Sequence, residues 1–272
     1  MPATLRVASW NIRAAIGPGP FPDRWWSRID ADRLRAIGSF IGGLDVDIVA
    51  LQEVALLSRD GDLVDNAGDL ARQLDLRVRF SALRSFDVVE DGALRGVGCF
   101  GNALLSGAPI RTSRTVPLPA ASADALVEPA GADHPLAGIS FADAPANVRE
   151  PRCLLLAETD GLTVGSTHFS HIGSGERLLQ ATATEATFGD ASPALLLGDL
   201  NAAIEAPELQ PLAGWTDGFS EPPGDPARTS TDDGMRIDHV LVRGASVSGC
   251  RVLRASDGLS DHYPVIAELE LP

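Results

Sequence analysis

Lysine is missing altogether: the 272-residue chain carries 22 basic residues, and every one of them is arginine. Against 37 acidic residues they leave a formal charge of −15. Such a chain repels a polyanion at long range, which disfavours sequence-independent binding to duplex nucleic acid. Cysteine is scarce too. Cys99, Cys153 and Cys250 are odd in number, far apart and without a CxxC spacing. That argues against a disulfide framework and a zinc site, and suits a reducing, cytoplasmic setting. No apolar run approaches the 18 or so residues of a membrane span. The first residues, MPATLRV, lack a basic stretch followed by an apolar one, so no secretory leader is expected. What is present, 44% hydrophobic and 22% charged residues, is the balance of a globular protein. The length is enough for one large core.

The periodicity mixes strands and helices throughout. Thr4–Trp10 alternates apolar and polar and reads as a strand, followed by a Gly/Pro-rich loop over Gly17–Pro22. Asp30 is placed to cap a helix with Leu34, Ile37, Ile41 and Leu44 on one face, ended by Gly42-Gly43. Val46–Leu51 is a buried-type strand, Asp65–Leu74 a short helix, and Arg77–Leu83 and Gly101–Leu105 are strands. Residues 111–148, rich in Pro and Ala and without period, read as a surface excursion. Arg152–Glu158 and Leu162–His168 form a hairpin about Asp160-Gly161. Ser174–Phe188 reads as a helix and Ala194–Leu197 as a strand. Residues 220–234 read as a loop, and Arg236–Val242, Ser246–Leu253 and Tyr263–Leu271 as strands. With no repeat and no composition break, one α/β domain over 1–272 is expected.

The chemistry lies where the apolar runs stop. One ends at Asn11, another at Glu53, a third at His168 and a fourth at Asp199-Leu200-Asn201. Asp238 begins a strand, and Asp261-His262 precedes one. Singly, a polar residue after a strand only starts a loop, often by making its own turn. Together these endings collect carboxylate and amide oxygens, which are hard ligands suited to Mg²⁺, and imidazoles suited to acid–base work. Arg152, Arg177 and His171 are candidate contacts for a substrate phosphate. His239, one step along the strand from Asp238, should face the other way and pack, so that its loss costs little turnover. Trp25-Trp26 either covers core or forms an aromatic platform for a base, sugar or lipid.

The segments Trp10-Asn-Ile12, Leu51-Gln-Glu-Val54, Thr167-His-Phe169, Gly198-Asp-Leu-Asn201, Ile237-Asp-His239 and Ser260-Asp-His-Tyr-Pro264 occur in this order. In that pattern the chain closely resembles the endonuclease/exonuclease/phosphatase superfamily of Mg²⁺-dependent phosphoesterases, which includes deoxyribonuclease I, neutral sphingomyelinases and inositol polyphosphate phosphatases. Gly101–Ser106 and Arg149–Arg152 are similar to segments of bacterial members. His168 departs from the exonuclease III group, which generally has tyrosine there; the only tyrosine here is Tyr263. The resemblance implies a four-layer α/β sandwich, two packed mixed sheets with helices on the outer faces.

The resemblance also implies that Glu53 binds the metal, with Asn11 and Asp261 near it. Asp199 and Asn201 would orient or activate water and hold the phosphate, His262 would pair with Asp238, and His168 would contact a phosphoryl oxygen. Whether His262 or Asp199 takes the proton of water stays open. A protonated His168 would stabilise the charge that develops on an oxygen of the pentacoordinate phosphorus. The expectation is therefore a monomeric, cytoplasmic Mg²⁺-dependent hydrolase of phosphate esters, with Mn²⁺ able to substitute. It would be a phosphodiesterase or phosphatase acting on a small molecule or lipid head group. A nuclease acting on DNA or RNA is the alternative, which the charge disfavours.

Overall fold

The computed structural model describes residues 4–20, 24–120, 151–219, 228–231 and 234–272. In chain order the regular elements are β1 (Thr4–Asn11), α1 (Ala31–Gly42), β2 (Ile48–Arg59), β3 (Asp62–Asp65), α2 (Asn66–Leu74), β4 (Arg77–Glu90), β5 (Ala93–Ser106), β6 (Ile110–Leu118), β7 (Arg152–Thr159), β8 (Leu162–His168), α3 (Ser174–Phe188), β9 (Ala194–Asp199), β10 (Thr216–Asp217), β11 (Asp238–Arg243), β12 (Ser246–Val252) and β13 (Val265–Glu270). Among the described residues they build two mixed sheets. One is seven-stranded, in the order β12-β13-β1-β2-β5-β4 with β3 beside β2. The other is six-stranded, in the order β10-β11-β9-β8-β7-β6.

The alternation of each strand decides which side chains meet. Val7, Ile48, Ala50, Leu104, Val265 and Ala267 of the first sheet face Leu155, Ala157, Val164, Leu195, Leu197 and Val240 of the second, and form one buried core between the layers. The opposite face of the first sheet carries Ala8, Trp10, Val49 and Leu51, covered by the apolar stripe Leu34, Ile37 and Ile41 of α1 and by Leu70 of α2. On the far side Leu154, Leu156 and Leu196 pack under Ala181 and Phe188 of α3. The result is the four-layer α/β sandwich. α1 and α2 begin where the sequence offers an acceptor. The Asp30 carboxylate takes the N–H of Asp32 and Arg33, and Asp65 takes that of Gly68.

Two parallel pairs set the position of everything polar. β1 runs parallel to β2 and β8 runs parallel to β9. Their partners β13, β11 and β7 run antiparallel to them. The C-terminal ends of β1, β8 and β9 therefore share one rim with the N-terminal ends of β13, β11 and β7.

Several strands depart from the sequence reading. β2 does not stop at Glu53 but continues to Arg59 through a bulge, where Gln52 and Glu53 together oppose Asn102. β4 and β5 are longer than expected and meet at Asp91-Gly92. Residues 111–118, read as part of a surface excursion, belong with Ile110 to β6, an edge strand paired with β7. Its middle is exposed, which explains the missing hydrophobic period, and an edge tolerates Pro117. Residues 121–148 of that excursion lie outside the described residues, as do 220–227, 232 and 233 of the expected loop. Leu44 falls beyond the end of α1.

Candidate active site

The shared rim collects the polar endings into one place. Glu53, Phe100, Arg152, His168, His171, Asp199, Asn201 and His262 line a cleft of about 360 Å³ between the two sheets. Five of them come from β8, β9 and β7 of the six-stranded sheet or the turns that follow. Glu53 and Phe100 come from the seven-stranded sheet, and His262 from the loop that enters β13.

Glu53 owes its direction to the bulge in β2, where its φ is +53°. Bulges add a residue to one strand and re-aim its side chain. The Glu53 carboxylate accepts from Asn11 Nδ2 at 2.9 Å, and the same amide donates to Asp199 Oδ2 at 3.2 Å. One NH₂ group at the end of β1 thus lies between two carboxylates. Asn11 Oδ1 accepts from the Arg13 N–H at 3.1 Å. Beyond it Arg13, Ala14 and Ala15 form a buried left-handed turn with φ of 46°, 48° and 60°. Left-handed backbone costs non-glycine residues energy. This turn aims the Arg13 guanidinium back at Asp261, Nε to Oδ2 at 3.1 Å.

Asp199 ends β9. Its Oδ1 accepts the Asn201 N–H at 3.0 Å, and its Oδ2 lies 3.4 Å from His168 Nε2 and 3.8 Å from His262 Nε2. Burial, reinforced by the Asp238 carboxylate, raises its carboxyl to about 7. Asn201 has φ +50°, a conformation asparagine tolerates, and its amide donates to Phe169 O at 2.9 Å. His262 Nδ1 donates to Asp238 Oδ2 at 2.8 Å. Burial alone would lower that imidazole, but the Asp238 and Asp199 carboxylates more than reverse this and hold it well above its ordinary value. His168 has the opposite balance. Burial, then the positive charge of Arg152, holds it well below its ordinary value, so it is neutral near pH 7. The charged imidazole of this site is therefore His262, not His168.

The supports are equally specific. Thr229 Oγ1 accepts both the Ile237 and Asp238 N–H groups at 3.0 and 3.1 Å. Trp10 Nε1 donates to His262 O at 2.8 Å, and Ser260 Oγ donates to Asn11 O at 2.7 Å. His239 faces away from the cleft, as alternation requires, but it does more than pack. Arg236, in a double ion pair with Asp217, donates to His239 Nδ1 at 3.1 Å, and His239 Nε2 donates to Ala202 O at 2.9 Å. That carbonyl follows Asn201 directly.

Arg152 is buried at the cleft and donates to His171 Nδ1 at 3.2 Å. Arg177 does not join them. Its guanidinium is held by Glu208 at 2.8 and 3.1 Å and by Ser170 O, away from the cleft lining. Phe100 and Arg13 carried no sequence signal of a strand end. Arg13 did stand two residues past Asn11, within reach of a turn.

A divalent cation fits this donor set. Among the described residues, Asp199, Asp238 and His262 each bring one ligand atom to within 4.8 Å of the others. Two of these already satisfy each other, so a cation there would compete with the His262–Asp238 bond. Asn11 offers its NH₂ to the carboxylates, and Asp261 is taken by Arg13. Glu53 opens on the cleft. Burial raises its carboxyl, against the Asn11 hydrogen bond, and the charge of Asp261 adds to the rise. Crowded, buried carboxylates that resist ionisation are stabilised by a cation.

Comparison with known proteins gives one family. The model for the endonuclease/exonuclease/phosphatase family matches residues 8–262. No curated protein matches the sequence. Among solved structures, an endonuclease/exonuclease/phosphatase from Beutenbergia cavernae is 22% identical with a TM-score of 0.73, over 98% of this chain and 72% of that one. A mannosyl-6-phosphatase from Bacteroides thetaiotaomicron is 20% identical with a TM-score of 0.64, over 97% and 99%. A humanized D. rerio TDP2 is 17% identical with a TM-score of 0.59, over 98% and 99%. At these identities the likeness is one of fold.

Proposed function

The chain belongs to the endonuclease/exonuclease/phosphatase family, and from that membership we propose that it hydrolyses phosphate esters with the help of a divalent cation, Mg²⁺ or Mn²⁺. The observation that carries this reading is the convergence of Glu53, Asp199 and the His262–Asp238 pair on one cleft from both sheets. Glu53 would hold the cation, which supplies Lewis-acid neutralisation of the phosphoryl oxygens. Asp199, with its carboxyl near 7, is matched to taking a proton from water at neutral pH. His262, charged and fixed by Asp238, donates towards the phosphoryl or leaving oxygen. Neutral His168 and the Asn201 amide orient the phosphate, and Arg152 at the same cleft adds a fixed positive charge.

The formal charge of −15 supports a small-molecule or lipid-head-group ester over duplex nucleic acid. No helix among the described residues is long and apolar enough to cross a membrane. The test is turnover of bis(p-nitrophenyl) phosphate and p-nitrophenyl phosphate with Mg²⁺ or Mn²⁺. We expect activity that chelator removes and that Glu53→Ala abolishes while circular dichroism stays unchanged. Full turnover in excess chelator, or in Glu53→Ala, would overturn the reading.

A further inference from the structure

Aromatic residues make only 5% of the chain, yet four of them gather at one edge of the cleft. Phe100 lines the cleft itself. Trp25, on the short 3₁₀ helix Trp25–Arg28, lies 5.1 Å from Phe100 and 5.0 Å from Phe86 between ring centroids. Trp26 stacks on Phe86 at 5.9 Å with an interplanar angle of 25°. None of the four belongs to the three apolar cores, and all are partly exposed. The contrast with the other two tryptophans is plain: Trp10 and Trp215 are 1% and 7% exposed and sit in cores. The rim is also built into the sheet. Phe86 of β4 pairs with Gly98 of β5, and a Cβ on Gly98 would lie 2.5 Å from the Phe86 ring. The absent side chain is what lets that ring lie across the strand.

The cleft therefore has two ends of different chemistry. One is crowded with carboxylates, imidazoles and Arg152, and suits a phosphate and a cation. The other is a half-exposed wall of π faces and edges, continuous with the first through Phe100. Aromatic surface left partly open beside a cleft is available for recognition. The group it meets must be joined directly to the phosphate, because Phe100 lines the same space. We infer that Phe100, Trp25 and Phe86 form the subsite for the organic half of the ester, and that this half presents a planar aromatic ring. The inference rests on the phosphoesterase reading for the site of the phosphate, and it names the class of substrate that reading left open.

The test separates the two. Phenylphosphonate, cyclohexylphosphonate and methylphosphonate carry the same anion on a planar ring, a puckered ring of like size and a methyl group. None of the three has an ester to hydrolyse. Calorimetric titration in Mg²⁺ should rank them in that order, with phenyl binding roughly three- to tenfold tighter than methyl, the range of an aromatic contact. Trp25→Leu and Phe100→Leu keep apolar bulk without the ring, and each should shrink the phenyl preference towards one. In turnover, the ratio of kcat/KM for an aryl ester to that for an alkyl ester should fall by a similar factor. Equal affinity for the three phosphonates, cyclohexyl binding as tightly as phenyl, no measurable binding of phenylphosphonate, or a preference unchanged in both variants would overturn the inference. Preferential phenylphosphonate binding by a protein that turns over no phosphate ester would sink the proposed reaction and leave the subsite standing.

Discussion

Asp238 and His262 come from segments 24 residues apart and act through a single 2.8 Å bond. Their losses should therefore not multiply. His262→Ala is expected to cost roughly 10²- to 10⁴-fold in kcat, as for a lost acid–base group. Asp238→Asn should also be severe, and the double variant little worse than the worse single. Losses that multiply in kcat measurements would mean the pair is not a unit. His239 makes a finer case. Strand alternation placed it correctly on the far side of β11, but alternation says nothing of what the ring bonds. By holding Ala202 O next to Asn201, it acts as a positioning residue. His239→Ala is expected to lower kcat about ten- to a hundredfold with KM little moved, and His239→Gln, which can accept from Arg236 and donate onward, should recover part of it. An unchanged kcat in His239→Ala would reduce the ring to packing. The polar endings were legible because a strand that stops at Asp, Asn or His is visible in one dimension. The Asp217–Arg236–His239 chain was not, since Asp217 lies 19 residues from Arg236 and meets it only through the fold.

Among the elements, β9 shows how little freedom the site has. Gly198 pairs with Thr167 across β8 and β9, and a Cβ there would lie 2.1 Å from the Thr167 carbonyl oxygen. Gly198→Ala should force the two strands apart just where His168 faces Asp199. A loss of about 1–3 kcal/mol in denaturant unfolding is expected, the usual cost of overpacking, with a drop in kcat beyond what the lost stability explains. Wild-type stability and turnover would refute that close approach. The same scale shows why strand existence was readable and strand extent was not. Val46–Leu51 announced β2, but the polar pair Gln52-Glu53 at the bulge reads as a strand end, so the apolar Val54–Leu57 beyond it does not read as the same strand. Asp60-Gly61 and Asp91-Gly92 have both φ values positive, like Asp160-Gly161, and make tight turns of the same kind. Only the last is flanked by strands buried enough to read as a hairpin. Beside Asp91-Gly92, Val89, Leu94 and Val97 are exposed, so their pattern looks like a loop's.

At the scale of the whole molecule, the buried titrating groups set a direction for stability against pH. His262 is held well above its ordinary 6.5, so the fold keeps a proton that the unfolded chain has released. That contribution is complete below 6.5 and is lost as pH rises through the folded value. Asp199, raised from 3.8 to about 7, and Glu53, raised from 4.5, act in the same sense. Below 6.5 the neutral, buried His168 and His239 oppose it, because there the unfolded chain takes up protons the fold refuses. With chelator present, the melting temperature is therefore expected to change little on the acid side of 6.5 and to fall between 6.5 and 9. His262→Gln should flatten that fall, and a melting temperature that climbs over the same range would contradict the balance. The layered architecture adds a mechanical consequence. Glu53 is fixed to one sheet and Asp199 to the other, and the layers meet through interdigitated apolar side chains and a few cross-sheet hydrogen bonds, among them Asn11 Nδ2 to Asp199 Oδ2 at 3.2 Å and Asn102 Nδ2 to the Cys153 carbonyl at 3.2 Å. A slip of one layer over the other by a single residue, about 3.3 Å, would leave both ladders of hydrogen bonds whole and carry the reacting groups out of register. The cross-sheet bonds, and not the ladders, are therefore what keeps the two halves of the cleft aligned.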